Sequence, residues 1–105
     1  MTGPVDVPKL AISREEIDAF CVSHHIRKLS LFGSILTPHF RAESDIDVLV
    51  EFEPGRVPGY FDLVGMELAL SEKLGRKVDL RTPQELSRYF REKVIASAAV
   101  QYERA

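Results

Sequence analysis

Ser44-Asp45-Ile46-Asp47-Val48-Leu49-Val50-Glu51-Phe52 is the stretch on which the fold turns. Ile46, Val48, Val50 and Phe52 fall on one side of an extended chain and Asp45, Asp47, Leu49 and Glu51 on the other, the period-2 signature of a strand. Upstream, residues 28–32 are short and apolar-rich and stop at Gly33-Ser34, where a strand can turn sharply. Before them, Ser13 with Glu16 reads as a capping box, and Ile17, Phe20, Cys21 and His24 repeat at helical spacing. Downstream, Pro54-Gly55-Arg56-Val57-Pro58-Gly59 must be a loop. A helix is expected over 60–74, with Phe61, Val64, Leu68 and Leu74 mainly on one inward stripe and Gly75 as its left-handed cap. Residues 78–80 read as a brief strand. Thr82-Pro83-Gln84-Glu85 then starts a last helix at Pro83, with Leu86, Phe90 and Val94 inward and an open ending toward Val100. This order implies an α/β fold, a small mixed sheet with helices packed on it.

The chain has 105 residues, 45% apolar and 29% charged, which suits one core and not two. We expect an irregular lead-in over residues 1–9, carrying Pro4 and Pro8, and a single domain over 10–105. A formal charge of −2 argues against strong direct binding of nucleic acid, which needs a basic stripe. Cys21 stands alone, so no intrachain disulfide forms, and no window approaches the ~18 apolar residues of a membrane span. A soluble, cytoplasmic protein is the expectation.

Asp45 and Asp47 are two apart on a strand, so both carboxylates leave the same face with Cα atoms about 7 Å apart. Left alone they repel, and a divalent cation between them removes that cost. Hard oxygen ligands select Mg²⁺ or Mn²⁺. Asp79 lies mid-strand between Val78 and Leu80, so it can join the pair from a neighbouring strand, and three such carboxylates suit two ions and an in-line displacement at phosphorus. Asp79 can also receive the proton of an attacking hydroxyl. Gly33 and Ser34 offer close backbone approach and a hydroxyl donor, the expected seat of the β and γ phosphates. Each feature also has a structural explanation, such as a solvated sheet edge or an ordinary turn. Tyr60-Phe61 reads as core packing, and His24-His25 and His39 lack zinc spacing with Cys21.

Gly33-Ser34, then Ser44-Asp45-Ile46-Asp47-Val48-Leu49-Val50, then Val78-Asp79-Leu80 after a helix resemble the DNA polymerase β nucleotidyltransferase superfamily, and its minimal nucleotidyltransferase branch above all. The likeness runs from Leu29 to the terminal helix. It implies that Asp45, Asp47 and Asp79 hold Mg²⁺, that Gly33 and Ser34 bind nucleotide phosphates, and that ATP is the donor. One departure stands out: where the commonest family pattern continues with a small residue and Arg-Gly, this chain has Ile35-Leu36-Thr37-Pro38, and Arg41 reads as a solvated loop residue. Proteins of this appearance are commonly encoded with a HEPN-domain ribonuclease toxin. The resemblance thus implies an antitoxin that transfers AMP onto a tyrosine of that toxin. An antitoxin acting by occlusion alone, or an enzyme acting on a small molecule or RNA with another subunit, are the alternatives.

Overall fold

A computed structural model describes residues 12–41 and 43–104; the lead-in expected over 1–9 lies outside the described residues. Helix α1 (Arg14–Ser23) begins as the capping box requires: Ser13 Oγ accepts the Glu16 N–H at 3.2 Å, and Glu16 Oε1 accepts the Ser13 N–H at 3.4 Å. His24 is its C-cap and packs its ring on Phe20. Strand β1 (Ile26–Phe32) starts two residues earlier than its apolar run suggested and ends in a single helical turn, Gly33–Leu36, pinned to the core by the buried Ile35. Strand β2 (Ile46–Phe52), helix α2 (Tyr60–Leu74) and strand β3 (Val78–Arg81) follow, with Gly75 at φ 65° closing α2.

The sheet is mixed, in the order β3-β2-β1 with a fourth strand, β4 (Ala99–Glu103), on the outside of β1. Strands β2 and β3 run parallel, and β1 is antiparallel to both β2 and β4. The apolar face of β2, Ile46, Val48 and Val50, meets Ile17, Phe20 and Cys21 of α1 and Met66, Leu70 and Leu74 of α2 in one buried cluster. Each large aliphatic there contributes roughly 1.5–3 kcal/mol by leaving water. Burial, and secondarily Asp18, push the Cys21 thiol up to about 12, so it is an inert core residue at neutral pH.

Three expectations are corrected. First, α2 faces inward with Leu63, Met66, Leu70 and Leu74, while Phe61 is 87% and Leu68 63% exposed. The helix is apolar nearly all round, so two stripes satisfy helical spacing and only packing against the sheet chooses between them. The same rotation leaves Tyr60 and Phe61 exposed, edge to face with each other, rather than in the core.

Second, the capping box at Thr82 and Glu85 forms, with the Thr82 N–H donating to Glu85 Oε1 at 3.0 Å, yet it starts only one turn, Pro83–Glu85. Leu86 is extended (ψ 144°), and helix α3 (Arg91–Ser97) begins five residues later, leaving Phe90 exposed and Leu86 and Val94 only half-buried. Arg91 explains the break: its guanidinium donates to Pro83 O at 2.8 Å and Leu86 O at 3.2 Å, occupying carbonyls that a continuous helix would use itself.

Third, the ending left open toward Val100 resolves into a further strand, residues 99–103, because the outer edge of β1 accepts them as partners. No described helix is long and apolar enough to cross a membrane.

Candidate active site

The register of the sheet decides which side chains meet. Phe32 of β1 is the partner of Asp47, and Asp47 is the partner of Asp79 on β3. Register partners on parallel strands project from the same face about 4.8 Å apart, so Asp47 and Asp79 stand side by side. Asp45, two residues before Asp47, leaves the chain on that same side, just ahead of β2. On the other flank of Asp47, Gly33 adopts φ +78°, and a Cβ at that position would land on Asp47 Oδ2 and lie 3.2 Å from its Cγ. The glycine is therefore required twice, by backbone conformation and by the carboxylate pressed against it. Gly33, just past the end of β1, Asp47 on β2 and Asp79 on β3 thus form a row.

Asp79 is held from behind by α2. Ser71 Oγ accepts the Val78 N–H at 3.0 Å and Glu67 Oε2 accepts the Leu80 N–H at 2.7 Å, which satisfies the outer edge of β3 on both sides of Asp79. Arg76 does the equivalent for Asp45. It donates to the carbonyls of Ser44, at 2.8 Å, and Arg41, and lies over the Phe40 ring at 4.3 Å, fastening the connection that leads into β2. None of these braces was legible in the sequence, since each spans 7 to 35 residues and none carries a motif. Arg41 itself is exposed, and Ser44 Oγ accepts its backbone N–H at 3.0 Å.

The electrostatics follow from this crowding. Burial, then Asp79, then Asp45 raise the Asp47 carboxyl above its ordinary value near 3.8, with Arg81 partly offsetting them. The outer carboxylates carry protein counterions: Lys77 Nζ lies 3.8 Å from Asp45 Oδ2, and Arg81 grips Asp79 at 3.1 and 3.3 Å while reaching Glu85 at 3.8 Å. Such exposed pairs are worth at most ~1 kcal/mol each, so they yield readily to a stronger cation. Among the described residues no three His, Cys, Asp or Glu side chains stand ready arranged around an ion. Asp45 and Asp79 are paired instead with Lys77 and Arg81. The donor chemistry itself, Asp47 flanked by the carboxylates of Asp45 and Asp79, fits a hard divalent cation.

A stability consequence follows. Because the folded-state pKa of Asp47 is raised, its protonated form adds stability below pH ~3.8, and that stability is lost as pH rises through the folded value. At pH 7 in a chelator, Asp47→Asn is therefore expected to raise the melting temperature by a few degrees, worth about 1 kcal/mol or less after solvent screening. The gain should vanish below pH ~3.8. Scanning calorimetry with and without Mg²⁺ reads this directly.

The nucleotidyltransferase domain family matches residues 14–102. A Methanocaldococcus jannaschii homologue assigned to the protein adenylyltransferases is 31% identical over 85 residues, covering 81% of this chain and 89% of that protein. A solved minimal nucleotidyltransferase superposes with a TM-score of 0.67 at 35% identity, covering 81% of this chain and 85% of its own. The Shewanella oneidensis complex of a tri-AMPylated HEPN toxin with an MNT antitoxin shares the fold, with a TM-score of 0.63 at 18% identity over 87% of this chain and 70% of that one. With the family match spanning nearly all of the described fold, the chain belongs to the nucleotidyltransferase domain family, in its minimal nucleotidyltransferase branch.

Proposed function

We propose that this nucleotidyltransferase moves AMP from ATP onto a tyrosine hydroxyl of a HEPN-domain ribonuclease in the cytoplasm and thereby acts as its antitoxin. Residues 10–105 form the working unit. Asp45, Asp47 and Asp79 hold Mg²⁺, two ions by preference, and Gly33 and Ser34 seat the phosphates. The observation that supports this most is the register pairing of Asp47 with Asp79 while Gly33 abuts Asp47 from the other side. It aligns an anion seat, a cation pocket and a proton acceptor in one row. The adenylyltransferase assignment of the archaeal homologue and the AMPylated toxin in the Shewanella complex support the donor and the class of acceptor.

The chain's part in the reaction follows from that row. The backbone at Gly33 and the Ser34 hydroxyl orient the triphosphate, and Asp79 takes the proton of the attacking hydroxyl. A new O–P bond forms at the α-phosphorus as the bond to the β-phosphate oxygen breaks and pyrophosphate leaves. Bound Mg²⁺ supplies charge neutralisation for the triphosphate and the leaving pyrophosphate. The transferred AMP places negative charge beside the toxin's RNA-cleaving groups and repels RNA.

One observation favours occlusion without chemistry as the second reading. Ile35 stands where the family pattern has its small residue and Leu36, 38% exposed, where it has its arginine, so this turn presents no side-chain cation to phosphate. Incubation with ³²P-α-labelled ATP, Mg²⁺ and a HEPN-domain ribonuclease that this chain neutralises separates the two. Transfer of label to the HEPN protein is the expected result. Unlabelled but neutralised toxin would replace the enzyme reading with the occluding one.

A further inference from the structure

Helix α2 carries three acidic residues, and they are not placed alike: Asp62 and Glu72 are exposed, whereas Glu67 is half-buried. A carboxylate drawn partly out of water costs free energy unless it finds a donor. The donor Glu67 takes is the Leu80 N–H, at 2.7 Å. One helical turn on, Ser71 Oγ accepts the Val78 N–H at 3.0 Å and gives its own proton to the Glu67 carbonyl at 2.7 Å. The spacings match, since four residues of helix rise about 6 Å and two residues of strand about 6.6 Å. Residues 67 and 71 therefore face the outward N–H groups of 80 and 78 in turn, and α2 stands in for the strand that the β3 edge lacks.

Asp79 lies between those two anchored amides. Its inner side is set by pairing with Asp47 on β2, and its outer side by α2. Resting on the proposed function, we infer that Glu67 is a positioning residue for nucleotide transfer: its hydrogen bond to Leu80, assisted by Ser71 at Val78, fixes the separation of Asp79 from Asp47 and with it the shape of the cation pocket. Three observations carry this. Strand β3 has only four residues and a strand partner on one side alone, so β2 by itself restrains it weakly. The acceptor is an ionised carboxylate, and a charge-assisted hydrogen bond is shorter and roughly twice as strong as a neutral one. A cavity of about 190 Å³ borders Glu67, Asp79 and Leu80, so water entering there can take a released N–H without tying it to the helix. Protection of a sheet edge is the competing explanation for the same contacts. It predicts lost stability and no change in cation affinity.

Mn²⁺ titration of the AMP-PNP complex, read by electron paramagnetic resonance, separates the two. Glu67→Ala, and Glu67→Met, which keeps a long helix-favouring side chain without the acceptor, should each weaken Mn²⁺ binding at least about five-fold. Both should lower kcat for AMP transfer at least about ten-fold, because sub-ångström to ångström misplacement of a reacting group is costly. Amide hydrogen exchange at Leu80 should quicken in both. Glu67→Gln retains an acceptor oxygen and should restore Mn²⁺ affinity and kcat to within about two-fold of wild type. Ile17→Val loosens the same core from α1 and should lower the melting temperature while leaving Mn²⁺ affinity unchanged. Wild-type Mn²⁺ affinity in Glu67→Ala and Glu67→Met would overturn the positioning role. So would a Glu67→Gln variant as impaired as those two, or equal weakening by Ile17→Val. Failure of the underlying reading looks different: the wild-type complex itself then takes up no Mn²⁺, and this inference falls with it.

Discussion

Asparagine at position 47 is expected to lower AMP transfer at least about a thousand-fold, a loss of ~4 kcal/mol in transition-state stabilisation, since cation-mediated charge neutralisation is worth several kcal/mol in phosphoryl transfer. Asp47 is the central carboxylate of the row and the only one of the three without an ion pair among the described residues. Removing its charge weakens the carboxylate cluster that recruits the cation. The same substitution relieves repulsion from Asp79 and Asp45, so the ion-free variant is expected to stay folded, which its melting temperature checks. Asp45→Asn should behave similarly in single-turnover labelling of the acceptor. Activity within ten-fold of wild type in both variants would remove the catalytic reading of the pair.

Gly33→Ala is the second large effect, and it acts through two separable costs. Alanine at φ +78° costs about 1–2 kcal/mol from the left-handed backbone alone. Its Cβ also falls on Asp47 Oδ2, so either the carboxylate or the turn must shift. Together these should destabilise the protein by about 2–3 kcal/mol, roughly 8–20 °C in melting temperature for a domain of this size, and reduce transfer at least about a hundred-fold through the displaced Asp47. A double-mutant cycle isolates the contact. In an Asp47→Ala background the steric cost disappears, and Gly33→Ala should then cost only the backbone portion, a coupling of about 1 kcal/mol. Equal costs in both backgrounds would mean that Gly33 and Asp47 are not in contact.

Much of this architecture is readable in the chain wherever a local rule and a tertiary one agree. In strand β2, Ile46, Val48 and Val50 point into the core and Asp47 to the other face, which Leu49 shares although it is buried, so the strand's bounds and the face of Asp47 follow from period. Ser13 with Glu16, and Gly75, mark helix ends through hydrogen bonds made within a few residues. The misreadings arise where local rules are satisfied twice. Helix α2 offers two apolar stripes, and the sheet takes the one containing Met66 and Leu70. The capping box at Thr82 forms and is then overruled by Arg91 reaching back to Pro83 and Leu86. Strand β4 exists because β1 had a free edge, a fact that lies some seventy residues away from Ala99 in the chain. At the site, the aspartates were visible through their spacing. Arg76, Glu67 and Lys77, which hold or balance them, act across elements and have no local signature, whereas Arg81 pairs with Asp79 two residues away on the same strand.

The account rests on carboxylates from two adjacent strands sharing one cation pocket, and Mn²⁺ binding reports on that without requiring turnover. Titrating Mn²⁺ into the AMP-PNP complex, followed by electron paramagnetic resonance, should show that Asp45→Asn, Asp47→Asn and Asp79→Asn each weaken ion binding at least about ten-fold. Wild-type Mn²⁺ affinity in Asp79→Asn would contradict it, leaving β3 outside the pocket.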